Sequence, residues 1–185
     1  MCVTINGKIR VYHQDNLGYE IYRANMVSLG KVPNGGYVIT KKWVESVLRS
    51  EHSSLEFVNI KIEADIRGDV ASHIVRHTKG HPRFVVQSHR PDWTGAGRPP
   101  ISTERKIFIS ISPYALIQMA RQRLCYHTMK ETRDFMENIK QTLMLCDDVF
   151  LKALGEYLGP DCVYRGKICN NMKTCGLSRH WKDIK

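Results

Sequence analysis

Long apolar runs are missing from these 185 residues; none approaches the length of a membrane span. The start, Met1-Cys2-Val3-Thr4, lacks a signal-peptide pattern. These two absences set the expectation of a cytoplasmic protein with no membrane partner. Internal repeats and low-complexity linkers are also lacking, so one domain over residues 1–185 is expected. Acidic residues are few beside basic ones, 18 Asp and Glu against 28 Lys and Arg, leaving a formal net charge of +10. That balance favours anionic partners: nucleotides, dinucleotide cofactors, nucleic acid or polyglutamylated folates. Six cysteines without a secretion pattern point to reduced or metal-bound thiols rather than a disulfide framework. Cys2, Cys125 and Cys146 are scattered and read as structural.

The hydrophobic pattern shows both strand and helix periodicities along the chain. Val3 to Gln14 alternates well enough for a strand or hairpin turning at Asn6-Gly7. Pro33-Asn34-Gly35-Gly36 reads as a loop, and Ile39 to Arg49 has helical spacing. Val58, Ile60, Ile62, Ala64 and Ile66 alternate as a half-buried strand does. A short helix from Asp69 to about Lys79 is expected to end at Gly80 and Pro82. Trp93 to Pro100 reads as a loop and Ile107 to Ile111 as a strand. Helical spacing then extends from Tyr114 to about Tyr157 with a break near Cys146–Asp147, and the tail from Gly159 is irregular.

Three constellations carry chemistry. The run from Arg76 to Arg90, with Gln87-Ser88-His89-Arg90 at its end, packs cations and imidazoles between structured segments, with one acid, Asp92, just beyond. Such runs serve as solvated faces or nucleic-acid patches, or as sites for a phosphorylated ligand; the conjunction here favours the ligand site. If the helix from Asp69 reaches Gly80, His73, Arg76 and His77 share one side at i, i+3 and i+4, with Ala71, Ile74 and Val75 toward the core. Second, Arg123, His127 and Glu131 at i, i+4 and i+8 would form one helical stripe, either a surface ladder of ion pairs or a site in which Glu131 orients His127. Third, His52-Ser53-Ser54-Leu55-Glu56 directly precedes the alternating strand.

In this order the three segments resemble the flavin-dependent thymidylate synthases, the ThyX family, over roughly residues 20 to 140. That family has a His-Ser-hydrophobic-Glu segment leading into a strand, an Arg-His-Arg-X-X-Ser motif closing in Ser-X-Arg-Tyr, and a helix carrying Arg, His and Glu four residues apart. The matches are His52 to Glu56, Arg76-His77 with Ser88-His89-Arg90, and Arg123, His127 and Glu131. The chain departs from the motifs at Thr78 (Arg in the family), at Val86 and Pro91 (Glu and Tyr), and in two extra residues between Arg76 and Ser88. Ser112, Tyr114 and Gln118 stand where the family uses asparagine and arginine for the flavin. These departures bear on the flavin contacts and on the choice of pyrimidine.

The resemblance implies an α+β fold with a central, mostly antiparallel sheet flanked by long helices, and sites at the subunit interfaces of a homotetramer. It implies dUMP as substrate, FAD as cofactor, and NADPH and methylenetetrahydrofolate as co-substrates, giving dTMP by methylation at C5. By it, Arg123 is the activating residue, set against the uracil N3/O2 edge where a permanently charged planar fork stabilises negative charge. Ser88 and Arg90 would take the nucleotide phosphate with Gln87 and His89 beside them, and His73 would touch the nucleotide. Arg76, His77, Thr78, Ser112, Gln118 and His127 fall to the flavin, and His52 to the ring entrance. Because the flavin carries the hard chemistry, other outcomes stay open: hydroxymethylation at C5, or a cytosine or ribonucleotide substrate.

A rival lies in the tail. Cys162, Cys169, Cys175 and His180 are spaced C-x6-C-x5-C-x4-H, near the three-cysteine, one-histidine zinc fingers that bind single-stranded RNA. Arg165, Lys167, Lys173 and Arg179 are interleaved with Tyr164 and Trp181. Reduced cysteines without metal are the favoured alternative, and nucleic acid is not expected as the main partner.

Overall fold

The computed structural model describes residues 2–88, 90, 97, 99–171 and 173–180, without the side chains of Cys2 and His180. His89 and most of the expected loop around Trp93 lie outside the described residues. The expected α+β class is the observed one. Five strands, β1 (Cys2–Asn6), β2 (Ile9–His13), β3 (Ile60–Arg67), β4 (Arg83–Val86) and β5 (Glu104–Ile111), form one sheet in the order β1-β2-β3-β5-β4. Every neighbouring pair is antiparallel.

Alternation along the central strands decides the two faces. Ile9 and Val11 of β2, Ile60, Ile62 and Ala64 of β3, and Ile107, Ile109 and Ile111 of β5 are buried on one face. The register puts Val85, Phe108, Glu63, Arg10 and Ile5 in one row across the other face. There Arg10 Nη1 meets Glu63 Oε1 at 3.2 Å, and Lys106 meets Asp65 at 3.3 Å. The Asn6-Gly7 turn falls where expected, with Gly7 at φ 57°.

The helices α1 (Leu17–Ser28), α2 (Lys41–Ser50), α3 (Gly68–Val75), α4 (Pro113–Arg123), α5 (Lys130–Met144), α6 (Val149–Tyr157) and α7 (Asp161–Tyr164) are joined by a 3-10 turn at Ser53–Glu56. The spacing did not reveal α1, whose core stripe is only Leu17, Ile21 and Tyr22. Phe135, Met136, Ile139 and Leu143 of α5 face Phe150, Leu151 and Leu154 of α6, all buried. The two helices approach closely because Gly155 has no Cβ; one there would lie 2.9 Å from the Lys140 carbonyl oxygen.

Three expectations are corrected. Helix α3 stops at Val75 rather than near Lys79, so no helical face carries His73, Arg76, His77 and Gly80 together, and Val75 is exposed rather than core. The chain instead folds back: Gly80 (φ 73°) and His81 (φ 52°) are left-handed, and a Cβ on Gly80 would sit 2.6 Å from Ala115 Cβ of α4. Inside the basic run, Arg83–Val86 form the edge strand β4, whose short length and half-exposed side chains hide its period. The stretch from Tyr114 to Tyr157 is three helices. Its break at Leu145–Asp148 is near the expected place, with Asp148 capping α6 through Leu151 N at 2.9 Å. A second break at Leu124–Met129 is held by Thr128, whose Oγ1 donates to the Gln122 carbonyl at 2.7 Å. Arg123, His127 and Glu131 therefore share no stripe.

Among the described residues no helix is long and apolar enough to cross a membrane. In the tail, β6 (Ile168–Cys169) and β7 (Arg179–His180) pair in parallel.

Candidate functional site

The end of α3 and the end of α4 meet in a cationic knot. Arg123 is the last residue of α4 and half-buried, and its Nη2 donates to the His73 carbonyl at 2.9 Å. That carbonyl belongs to the last turn of α3, where helical acceptors are left unpaired, so a guanidinium is a suitable partner. Burial, and then the charge of Arg76, push the Arg123 guanidinium below its ordinary value. Arg123 Nε is buried without a hydrogen-bond partner among the described residues.

His77 lies beneath this pair at 3% exposure. Burial lowers its affinity for a proton, and the charges of Arg123 and Lys79 act in the same direction, while the Gln122 side chain opposes them. Its Nε2 is buried without a hydrogen-bond partner among the described residues. A neutral imidazole beside two cations can exchange hydrogen bonds with a ligand without adding charge. His73 itself, half-buried, faces Thr132, with Nδ1 3.2 Å from Oγ1.

A second network holds α4 from behind. Glu51, the left-handed cap of α2 (φ 46°), accepts from Gln118 Nε2 at 3.0 Å and from Arg121 Nη1 at 3.2 Å, and Arg121 Nη2 completes a bidentate pair. Arg121 also lies over the Tyr164 ring, 4.4 Å from its centroid. Burial works against the Arg121 charge, but the hydrogen bond and charge of Glu51 outweigh it. Tyr164 donates to the Tyr157 carbonyl at 2.7 Å and accepts from Gly159 N at 3.0 Å, and burial pushes its hydroxyl pKa up. Glu51, Arg121 and Tyr164 were not legible as a group, because they come from three segments with no common spacing.

The expected site residues fall into separate places. His73, Arg76, His77 and Arg123 come together. Thr78 is exposed one residue past His77, and its carbonyl accepts from His81 N at 3.1 Å. Ser112 caps α4 at the opposite end, its Oγ accepting from Ala115 N at 3.2 Å. His52 caps the 3-10 turn through Ser54 N at 3.1 Å and faces a groove beside Glu20, Arg23 and Phe57. Gln87 extends the sheet past β4, its amide donating to the Lys106 carbonyl at 2.9 Å and its Oε1 accepting from Lys106 N at 3.1 Å. Ser88 and Arg90 lie beyond β4 in sequence, outside the strand itself. Glu131 pairs with Arg67 at 3.5 Å rather than orienting His127, which lies in the loop after α4.

Gln118 and His127 border a cavity of about 590 Å³ between the end of α4 and the tail. Cys162, Cys169 and Cys175 line it too, and so does Cys125 from the loop after α4. Asn171 Nδ2 donates to Cys125 Sγ at 3.4 Å, which ties the tail to that loop. Among the described residues no three His, Cys, Asp or Glu side chains are placed to share a metal ion. The side chain of His180, the fourth residue of the expected finger, lies outside the described ones.

No known family model matches the chain, and no curated protein matches it in sequence. Its fold is similar to a crystal structure of PolB, a UMP/dUMP methylase from Streptomyces cacaoi, bound with 5-Br dUMP. The TM-score is 0.59 at 14% identity, covering 81% of this chain and 96% of that one. At that identity the likeness establishes a common fold, and the chemistry has to be argued from the side chains.

Proposed function

We propose that this chain binds a pyrimidine nucleotide and modifies it at C5, most specifically by flavin-dependent methylation of dUMP to dTMP. The observation that carries this is Arg123, half-buried and anchored on the His73 carbonyl beside Arg76 and buried His77, in a fold shared with a UMP/dUMP methylase. C5 of a uracil becomes nucleophilic when negative charge on the N3/O2 edge is stabilised. A guanidinium held in a site depleted of water does this effectively, because the local dielectric is low and the donors are already oriented. The carbonyl of His73 fixes one arm of the guanidinium and leaves the others for the ring.

Ser88 and Arg90 would take the nucleotide phosphate. They lie beyond β4 in sequence, whereas Arg123 ends α4, and the ThyX resemblance implies a site completed between copies of the chain. For the flavin, Arg76 is exposed with no carboxylate partner among the described residues, and His77 Nε2 is an unsatisfied buried polar atom. Both suit an anionic, hydrogen-bonding cofactor. Ser112 and Gln118 suit it less, since a helix cap and Glu51 already engage them. When bound, a flavin supplies the redox chemistry, with NADPH as electron source and methylenetetrahydrofolate as one-carbon donor.

The test is an absorbance spectrum of the desalted protein after adding FAD and then dUMP, followed by tritium release from C5-labelled dUMP and UMP. A flavin band that co-elutes and shifts with nucleotide, together with release from either nucleotide, supports the proposal. A colourless protein that releases no tritium with FAD and NADPH present refutes it.

A further inference from the structure

A second cavity, of about 510 Å³, opens between the start of α1, the turn before α2 and the start of α6. It contains none of the residues given above to nucleotide or cofactor. The chain has 28 Lys and Arg, yet among the described lining residues there is no cation, only the carboxylates of Asp147 and Asp148. Asp148 Oδ1 already accepts from Leu151 N at 2.9 Å, which meets the positive end of α6. The Asp147 carboxylate has no partner among the described residues.

Two tyrosines line the same space and are held in place from behind. The Tyr37 ring stacks on Tyr22 at 4.2 Å between centroids and 5° between planes, with Trp43 edge-on at 6.2 Å. Tyr22 and Trp43 do not line the cavity, so the ring face left free is the one that Tyr37 presents to it. Tyr19, 5.7 Å from Tyr22, is tied by its hydroxyl, which donates to the Asn34 carbonyl at 3.3 Å. Asn34 also builds the turn that carries Tyr37: its Oδ1 accepts from Gly36 N at 3.0 Å and its carbonyl from Tyr37 N at 3.1 Å. Ile39 and Phe150 complete the lining and pack against Gly18, where a Cβ would lie 3.1 and 3.2 Å from them.

A ring face carries negative charge density and attracts a cation held over it, most strongly where water is displaced. An inorganic cation asks for a shell of oxygen ligands, whereas aromatic and aliphatic walls beside one unpaired carboxylate suit an alkylated ammonium. The volume is that of a small-ligand site. We infer that this cavity binds a small organic ammonium, with its charged head against the rings of Tyr19 and Tyr37 and its charge balanced by Asp147. The site is independent of the methylation reading: it uses neither Arg123 nor Ser88 and Arg90, and it stands or falls by binding alone.

The test is calorimetric titration of the full chain with choline and with its neutral carbon isostere, in which a tert-butyl group replaces the trimethylammonium. Choline is expected to bind, and the isostere to bind roughly ten-fold more weakly or not at all. Tyr37→Leu should weaken choline by roughly three-fold or more while Tyr37→Phe retains it, because the ring rather than the hydroxyl carries the contact. Asp147→Asn should weaken choline and leave the isostere unaffected. Gly35 also lines the cavity, and a Cβ there meets only Tyr19 Oη, at 3.8 Å, so Gly35→Leu should fill the space and block binding. Circular dichroism of each variant confirms that it is folded. Absence of choline binding at millimolar concentration, equal affinity for the isostere, or affinity unchanged in folded Asp147→Asn or Gly35→Leu each overturns the inference.

Discussion

Gly80→Ala tests whether the loop after α3 is held against α4 as tightly as the knot around Arg123 requires. A Cβ there would lie 2.6 Å from Ala115 Cβ and 2.8 Å from Ala115 Cα. The second atom is backbone, so no rotamer change relieves the contact. The left-handed φ of 73° adds its own cost of roughly 1–2 kcal/mol for an L side chain. Forced overpacking adds typically ~1–3 kcal/mol, so the loss should total about 2–5 kcal/mol. Gly30 supplies the control: its φ is 65°, with nothing within 4 Å of an added Cβ, so Gly30→Ala should lose only the backbone part. Urea unfolding of both variants, read as a shift in midpoint at constant slope, separates the two contributions. Equal shifts for Gly80→Ala and Gly30→Ala would show that the loop gives way freely and that the packing argument is wrong.

Arg123→Ala should abolish tritium release from C5-labelled dUMP yet change unfolding stability by less than about 2 kcal/mol, since the lost hydrogen bond is offset by relief of a half-buried cation; retained turnover removes Arg123 from the chemistry. Burial lowers the proton affinity of His77 in the folded state, so below about pH 6.5 the unfolded chain takes up a proton that the folded one resists. Its contribution is therefore complete above that value and declines as pH falls, by at most about 1.4 kcal/mol per unit; His77→Gln should flatten the slope, and an unchanged slope would place the proton elsewhere. Glu51→Gln removes the charge facing Arg121 and should cost about 1–3 kcal/mol, against under about 1 kcal/mol for Glu104→Gln at the exposed Lys8 pair. Similar midpoints for the two would mean that the Glu51 network is only a surface pair. Ser88→Ala with Arg90→Ala should weaken dUMP binding by ten-fold or more, and an unaltered dissociation constant would move the phosphate site.

The patterns that survived into the structure are those carried by local chemistry. Alternation of Ile60, Ile62, Ala64 and Ile66 specified a strand with one buried face, because side-chain direction in a strand depends only on parity. Asn6-Gly7 marked its turn because few residues accept a left-handed backbone. With the helical spacing of α2 and the break near Cys146, these marked a chain of mixed strands and helices, and the ThyX resemblance implied the antiparallel α+β arrangement. Tertiary contacts decided the rest. Helix α3 ends at Val75 because Gly80 must reach Ala115, a contact that no local spacing encodes. Edge strand β4 exists because β5 offers it hydrogen bonds, and its own residues read as a basic loop. Helical periodicity continues through Leu124–Met129, so Arg123, His127 and Glu131 appeared as one stripe until the chain turned at Thr128. The same holds for Glu51 with Arg121 and Tyr164, and for Cys125 with the tail. Their meeting depends on how helices and tail pack, and a one-dimensional pattern carries residue type and order but not the long-range distances that make a site.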